Sequence, residues 1–257
     1  MKLSVIIPTF NRRRTLQYNL RLLARQTLPL DRLEVLVGDD GSTDGALEML
    51  RSMPVPYRLV VLETGSPAVV NGVTWAMNLG LEHATGEYVF FLDDDMLLKP
   101  DALEWLVATL EAWRRRGEDV LVRGWWKDNR FLRRLRLESY DYRLDVGRNE
   151  KLRQLLENRY DLPVAMVHSA QMGLLRRHAL TVGGLPRDNV AYGFDKAKQF
   201  QHRLKEELGL RFVFEPRIFG LHGPMPGDIT RFAYSDRTRR PPRWRRTLAR
   251  LLGRSGA

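Results

Sequence analysis

The sequence predicts an α/β fold: a mostly parallel, Rossmann-like sheet with helices on both faces. Two observations carry this. Short apolar runs alternate with segments of helical period through the first half, at a spacing that suits parallel crossovers. The second and fourth runs also end in carboxylate clusters, and sheets of this kind bind ligands beyond the carboxyl ends of their strands.

Taken in order, Leu3–Ile7 reads as a buried strand and Arg13–Gln26 as a helix. Leu33–Val37 is a second strand, with a short helix over Ala46–Met53. Tyr57–Leu62 is a third, followed by a helix over Asn71–His83. Tyr88–Leu92 is a fourth, and Pro100 opens a helix over Asp101–Arg115. Val120–Val122 makes a fifth strand. Beyond it the pattern weakens. Trp125–Tyr160, rich in arginine and aromatics, reads as an inserted helical or loop region, and Val164–Arg176 as extended chain. Phe194, Ala197, Leu204 and Leu208 share one face of a helix, Arg211–Phe214 is a last strand, and GLHGPMPGD is a loop by its Gly and Pro content.

The chain carries 42 Lys+Arg against 31 Asp+Glu and no cysteine, which excludes disulfides, thiolate metal sites and a cysteine nucleophile. Its net charge of +11 is local. Residues 231–257 hold nine arginines and one acid, a net of +8, leaving +3 on the other 230 residues. Trp244, Leu248, Leu251 and Leu252 place an apolar stripe among those arginines, so the tail reads as a solvated segment or as a peripheral contact with anionic membrane, not as a nucleic-acid binder. Apolar runs are too short for a membrane span or a secretory leader, and the expected setting is cytoplasmic, peripheral at the inner face of the membrane.

Pro8 to Arg12 after the first strand contains no glycine, against a dinucleotide fingerprint, and no Gly-Lys-Ser/Thr occurs, against a P-loop. The second strand ends in VGDDGSTD, where Asp44 suits a helix cap but two carboxylates ahead of the glycine are more than a turn requires. The fourth ends in FFLDDDML. Three adjacent carboxylates repel unless a cation offsets them, and hard oxygen ligands of this kind suit Mn²⁺ or Mg²⁺. His222 stands in the Gly/Pro loop, and Asp195 begins an amphipathic helix whose dipole favours an ionised acid. His83, His168, His178 and His202 lack ligand-like spacing and read as structural.

In this order SVIIPTFNR, VLVGDDGSTD, NGVTWAMNLGLEHATGEYVFFLDDDMLLKPDAL, GLLRRHALTVGGLPRD and YGFDKAKQFQHRL resemble glycosyltransferase family 2, the nucleotide-sugar-dependent transferases of GT-A fold. The resemblance covers Leu3 to Pro224. It implies a GT-A domain over 1–230, with a nucleotide-sugar-binding half (1–112) and an acceptor-side half (113–230), ahead of the basic tail 231–257. It implies donor contacts from Pro8, Thr9, Asp40, Asn71, Asp93 and Asp94, metal ligation by Asp95, Asp93 and His222, and Asp195 as the base of an inverting displacement. The donor it implies is a nucleotide-diphosphate sugar, UDP-linked first, and the acceptor a hydroxyl of a cell-envelope glycan, polysaccharide or lipid-linked glycan.

The sequence departs from the family at Lys196, where a second acid is usual, and at Met77, where relatives commonly carry arginine. Those departures keep a second reading open: a degenerate transferase that binds nucleotide sugar or an anionic surface without reacting. A phosphatase of the haloacid-dehalogenase type also places D-x-D after a strand, but on its first strand rather than its fourth.

Overall fold

The computed structural model describes residues 3–65, 72–128, 137–167, 171–187 and 193–223, with side chains in the last segment from Lys196 onward. Its strands are β1 (Leu3–Thr9), β2 (Leu33–Asp39), β3 (Arg58–Glu63), β4 (Tyr88–Leu92), β5 (Met96–Leu98), β6 (Val120–Asp128), β7 (Gln171–Leu175) and β8 (Arg211–His222). The helices are α1 (Arg13–Leu23), α2 (Ala46–Ser52), α3 (Gly72–His83), α4 (Ala102–Arg114), α5 (Arg143–Val146), α6 (Glu150–Glu157), α7 (Arg176–Thr181) and α8 (Gly193–Leu208).

All eight strands join one sheet in the order β3-β2-β1-β4-β7-β6-β8-β5. The first four are mutually parallel, as the crossover helices require. The other half is mixed: β7 runs antiparallel to β4 and β6, β5 runs antiparallel to β8, and β6 with β8 is parallel. The sheet is therefore less uniformly parallel than the alternation of the first half implies.

Residues alternate between two cores, one on each face. Val5, Val35, Val37, Phe90 and Leu92 pack under residues of α1, α2 and α4. Ile6, Leu36, Val89 and Phe91 face residues of α3, α6, α7 and α8. Strands with residues buried on both faces read as continuous apolar runs, which is why β1, β2 and β4 were legible as sequence.

Two expectations are corrected. The last strand continues from Phe214 to His222, so Gly220–His222 is strand rather than loop, held by pairing to β5. The expected insert begins later, because Trp125–Asp128 completes β6 beyond a register shift at Arg123/Trp125. The tail 231–257, Asn71 and His168 lie outside the described residues, as does the Asp195 side chain. No helix among the described residues is long and apolar enough to cross a membrane.

Candidate active site

The chain leaves β1 through β2 and β3 and returns to the other side of β1 at β4. The gap between β1 and β4 is therefore a topological switch point, where parallel sheets open a crevice. Thr9 ends β1, and Asp93–Asp95 follow β4. The Thr9 hydroxyl donates across that gap to Asp94 Oδ2 at 2.8 Å.

Polar side chains fix the loops around it. Asn11 sits at φ 52°, a left-handed conformation that Asn tolerates better than most residues. Its N–H donates to Ser42 Oγ at 2.9 Å, and its Oδ1 accepts the Thr43 N–H at 2.7 Å. Asp39 Oδ2 accepts the backbone N–H groups of Gly41 and Ser42. Asp44 caps two helix starts at once, accepting from Arg13 N–H at 2.8 Å and Ala46 N–H at 3.1 Å. Its capping reading holds.

Beyond β4 the chain turns at the acids and enters β5, whose pairing with β8 sets Met96 opposite His222. The Gly223 N–H donates to the Asp95 carbonyl at 2.9 Å, and His222 Nε2 lies 3.3 Å from Asp95 Oδ1. One ligand atom each from Asp93, Asp95 and His222 falls within 4.8 Å of the others. Octahedral ligands about 2.1 Å from an ion stand roughly 3 Å apart in cis and 4 Å in trans, so small side-chain adjustments fit this set to a hard divalent cation. Two carboxylates with one imidazole is a donor set suited to Mn²⁺ or Mg²⁺. The Trp126 ring packs 4.9 Å from the imidazole, tilted by 53°.

Arg12, at the entry to α1, carries the nearest positive charge. Its Nη1 is hydrogen-bonded to Asp95 Oδ2 and lies 3.4 Å from Asp94 Oδ1. Burial pushes the Asp93 carboxyl up to about 6, aided by the Asp95 charge. Burial likewise raises Asp94 well above the usual carboxylate range, against the pull of Arg12. Asp95 behaves oppositely: hydrogen bonds from His222 and Arg12, with their charges, overcome its burial and hold it low. His222 is raised, because its pairing with Asp95 outweighs burial that would lower it. The cluster thus keeps one firm carboxylate, Asp95, paired with Arg12 and His222.

The expected residues separate into groups. Asp93, Asp95 and His222 come together as a group that could hold a metal ion, whereas Asp94 turns to Thr9 and Arg12. Pro8 lies beside Thr9 in β1, opposite Gly38. Asp40 is buried, donates its N–H to the Thr9 carbonyl at 3.0 Å and accepts from Thr64 Oγ1 at 3.0 Å. Its carboxylate lies against Gly72, where an added Cβ would stand 1.7 Å from Oδ2. Asp195 belongs to the first turn of α8. Met77 is packed in the core with Ile6 and Leu36, so that departure alters core packing and not a group facing the acids. Lys196 is fully buried.

Asn19 was not anticipated. Its Nδ2 donates to the carbonyls of Asp94 (3.1 Å) and Asp93 (3.4 Å), holding the acidic turn against α1. An amide placed between Leu16, Leu20 and Leu23 on the buried face of that helix was the available signal.

Comparison with known proteins agrees with this architecture. The chain is 33% identical over 157 residues to the uncharacterized glycosyltransferase YfnE of Bacillus subtilis, a match covering 60% of this chain and 36% of YfnE. It is 35% identical over 124 residues to poly(ribitol-phosphate) β-N-acetylglucosaminyltransferase TarS of Staphylococcus aureus, covering 48% and 20% of the two chains. The chain thus spans well under half the length of these relatives. Among solved structures, S. aureus TarS 1–349 in complex with UDP superposes with a TM-score of 0.63 at 19% identity, over 86% of this chain and 59% of that one. A mannosyltransferase of Pyrobaculum calidifontis in complex with GDP-Man and Mn²⁺ superposes at 0.62 and 24% identity, over 88% and 58%. At these identities the likeness establishes the GT-A fold. The family model for glycosyl transferase family 2 matches residues 4–183, which include β1, the switch-point acids and β7, so the chain belongs to that family.

Proposed function

We propose that this chain holds the donor site and reacting groups of a metal-dependent, inverting glycosyltransferase, which moves a sugar from a UDP-sugar to a hydroxyl of a cell-envelope glycan or lipid-linked acceptor. The observation that carries the reading is the convergence of Asp93, Asp95 and His222 at the switch point of a GT-A sheet. Relatives named for adding sugars to poly(ribitol-phosphate) support the envelope setting, and a neighbour bound to UDP-GlcNAc supports the donor class.

In this reading Asp93, Asp95 and His222 hold Mn²⁺ or Mg²⁺, which supplies Lewis-acid neutralisation of the departing diphosphate. Pro8, Thr9, Asp40 and Asn71 contact the nucleoside, and Asp94 faces ribose and phosphate. Arg12, beside Asp94 and Asp95, would add positive charge for the diphosphate. The acceptor oxygen attacks C1 of the sugar from the side opposite the leaving group. The bond from C1 to the phosphate oxygen breaks, and its electron pair leaves with the nucleoside diphosphate. Asp195 takes the acceptor proton, its carboxylate kept ionised by the α8 N-terminus.

Buried Lys196, where a second acid is usual, favours the other reading, a binder of nucleotide sugar without turnover. Calorimetry with UDP and GDP, with Mn²⁺ or with chelator, tests the donor site. Metal-dependent binding of one nucleotide supports it, and absence of binding by both removes it. Hydrolysis or transfer from the bound donor, lost in Asp195→Asn, separates the enzyme from the binder.

A further inference from the structure

Arg123 is a buried guanidinium that the donor site does not use. It lies in β6 at 1% exposure, and its Nε and Nη1 have no hydrogen-bond partner among the described residues. Burial pulls it down to about 10, so it stays charged at neutral pH, and no carboxylate among the described residues offsets it. A buried charge without a counter-charge is strongly destabilising, and arginine does not escape by losing its proton.

Its surroundings add positive charge. The guanidinium carbon lies 5.9 Å from the Phe214 ring centre. Burial and then the Arg123 charge lower both Lys198 and Lys151. Lys198 Nζ is held there by the carbonyls of Val164 and Val167, the latter at 2.9 Å.

The position is on the face of the sheet that α8 covers. Phe91, Met172, Arg123 and Phe214 form one register row across β4, β7, β6 and β8, so their side chains share a face. Helix α8 crosses that face: Phe200 packs edge-on against Phe91 at 5.9 Å, and Gln201 Nε2 donates to the Met172 sulfur at 3.0 Å. The same helix carries Asp195 in its first turn. Asp93 follows Phe91 by two residues, so strand rise and strand spacing put its Cα about 12 Å from that of Arg123.

We infer that Arg123, with Lys198 and Lys151, forms a site for a phosphate-class oxyanion, and that this oxyanion is a phosphate group carried by the acceptor. Two nitrogens with three N–H groups unpartnered among the described residues, and a full charge, are what phosphate oxygens take. The acceptor assignment rests on the transferase reading; the anion site does not.

Thermal unfolding of the full chain tests it, in inorganic phosphate against sodium chloride of equal ionic strength, and in glycerol 3-phosphate against glycerol. The variants are Arg123→Gln and Lys198→Met. Phosphate and glycerol 3-phosphate each raise the wild-type Tm by roughly 3–6 °C at about ten times Kd. The rise is lost in Arg123→Gln and reduced in Lys198→Met, while UDP binding by Arg123→Gln matches wild type. An equal rise in Arg123→Gln puts the anion elsewhere and overturns the site. A rise with phosphate but not with glycerol 3-phosphate overturns the acceptor assignment. If Arg123→Gln fails to fold and Lys198→Met keeps the whole rise, the guanidinium serves an internal partner and the proposal falls. An Arg123-dependent rise in a chain that binds neither UDP nor GDP keeps the anion site and removes the transferase reading.

Discussion

Replacing Asp95 by Asn keeps the shape of the side chain and removes the charge at the centre of the acid cluster. Without metal, two effects oppose each other. The variant loses the ion pairs of Asp95 with Arg12 and His222, both partly exposed. It also relieves the repulsion that Asp95 exerts on Asp93 and Asp94. Arg12 retains Asp94, 3.4 Å from its Nη1. The net change in metal-free stability is then about 1–2 kcal/mol, or roughly 2–8 °C in Tm for a chain of this size. Metal binding has no such compensation, because Asn offers one weak neutral oxygen in place of a carboxylate. At about 100 times Kd, Mn²⁺ stabilises the wild type by roughly 2.7 kcal/mol, a rise of about 5–11 °C. A hundredfold loss of affinity leaves roughly 0.4 kcal/mol at the same concentration. Differential scanning fluorimetry with and without Mn²⁺ therefore separates a ligand from a structural residue. A Mn²⁺-dependent rise in Asp95→Asn equal to that of wild type refutes the assignment of Asp95.

Three further outcomes are expected. Gly72→Ala drives a methyl into the Asp40 carboxylate, so UDP affinity falls about tenfold or more while the Mn²⁺-dependent rise persists; unchanged UDP affinity in calorimetry contradicts the role of Asp40. Glu34 is fully buried and accepts from Ser4 Oγ (2.5 Å), Thr85 N–H (2.6 Å) and Gly86 N–H (3.1 Å). Glu34→Ala orphans those donors and costs about 3–5 kcal/mol in urea unfolding, and a loss below 1 kcal/mol shows that the network does not hold the edge of β1 and β2. In chelator, Asp93 (about 6), Asp94 and His222 all have raised folded-state values. Groups raised in this way contribute stability fully below their unfolded values and lose it as pH rises through the folded ones, so the metal-free chain loses stability between about pH 4 and 7. Denaturation midpoints that rise across that window contradict the burial assigned to the cluster.

The parts legible in the sequence are those whose signal is local. Strands buried on both faces show as apolar runs, and the turns after β2 and β4 show their carboxylates directly, so the parallel half of the sheet could be read from composition and order. What stayed hidden depends on pairing between distant segments. β5 is three residues long and has no periodicity of its own; it is strand because β8 lies beside it. That pairing turns GLH from loop to strand and carries His222 to Asp95, so the third member of the group that could hold a metal ion was visible only as an isolated histidine. Arg12 carries no local signal of its target; three residues past the end of β1, it is placed by the fold over two carboxylates. Arg123 is the extreme case. In sequence it is a lone arginine between the expected strand Val120–Val122 and the segment Trp125–Tyr160, which reads as an inserted helical or loop region. In the fold it is among the largest fully buried side chains, because β6 continues past the expected strand end and α8 covers the face it occupies. Once β6 is in the sheet, this single arginine in an apolar stretch becomes a buried cation, and that placement makes it worth testing as a ligand site.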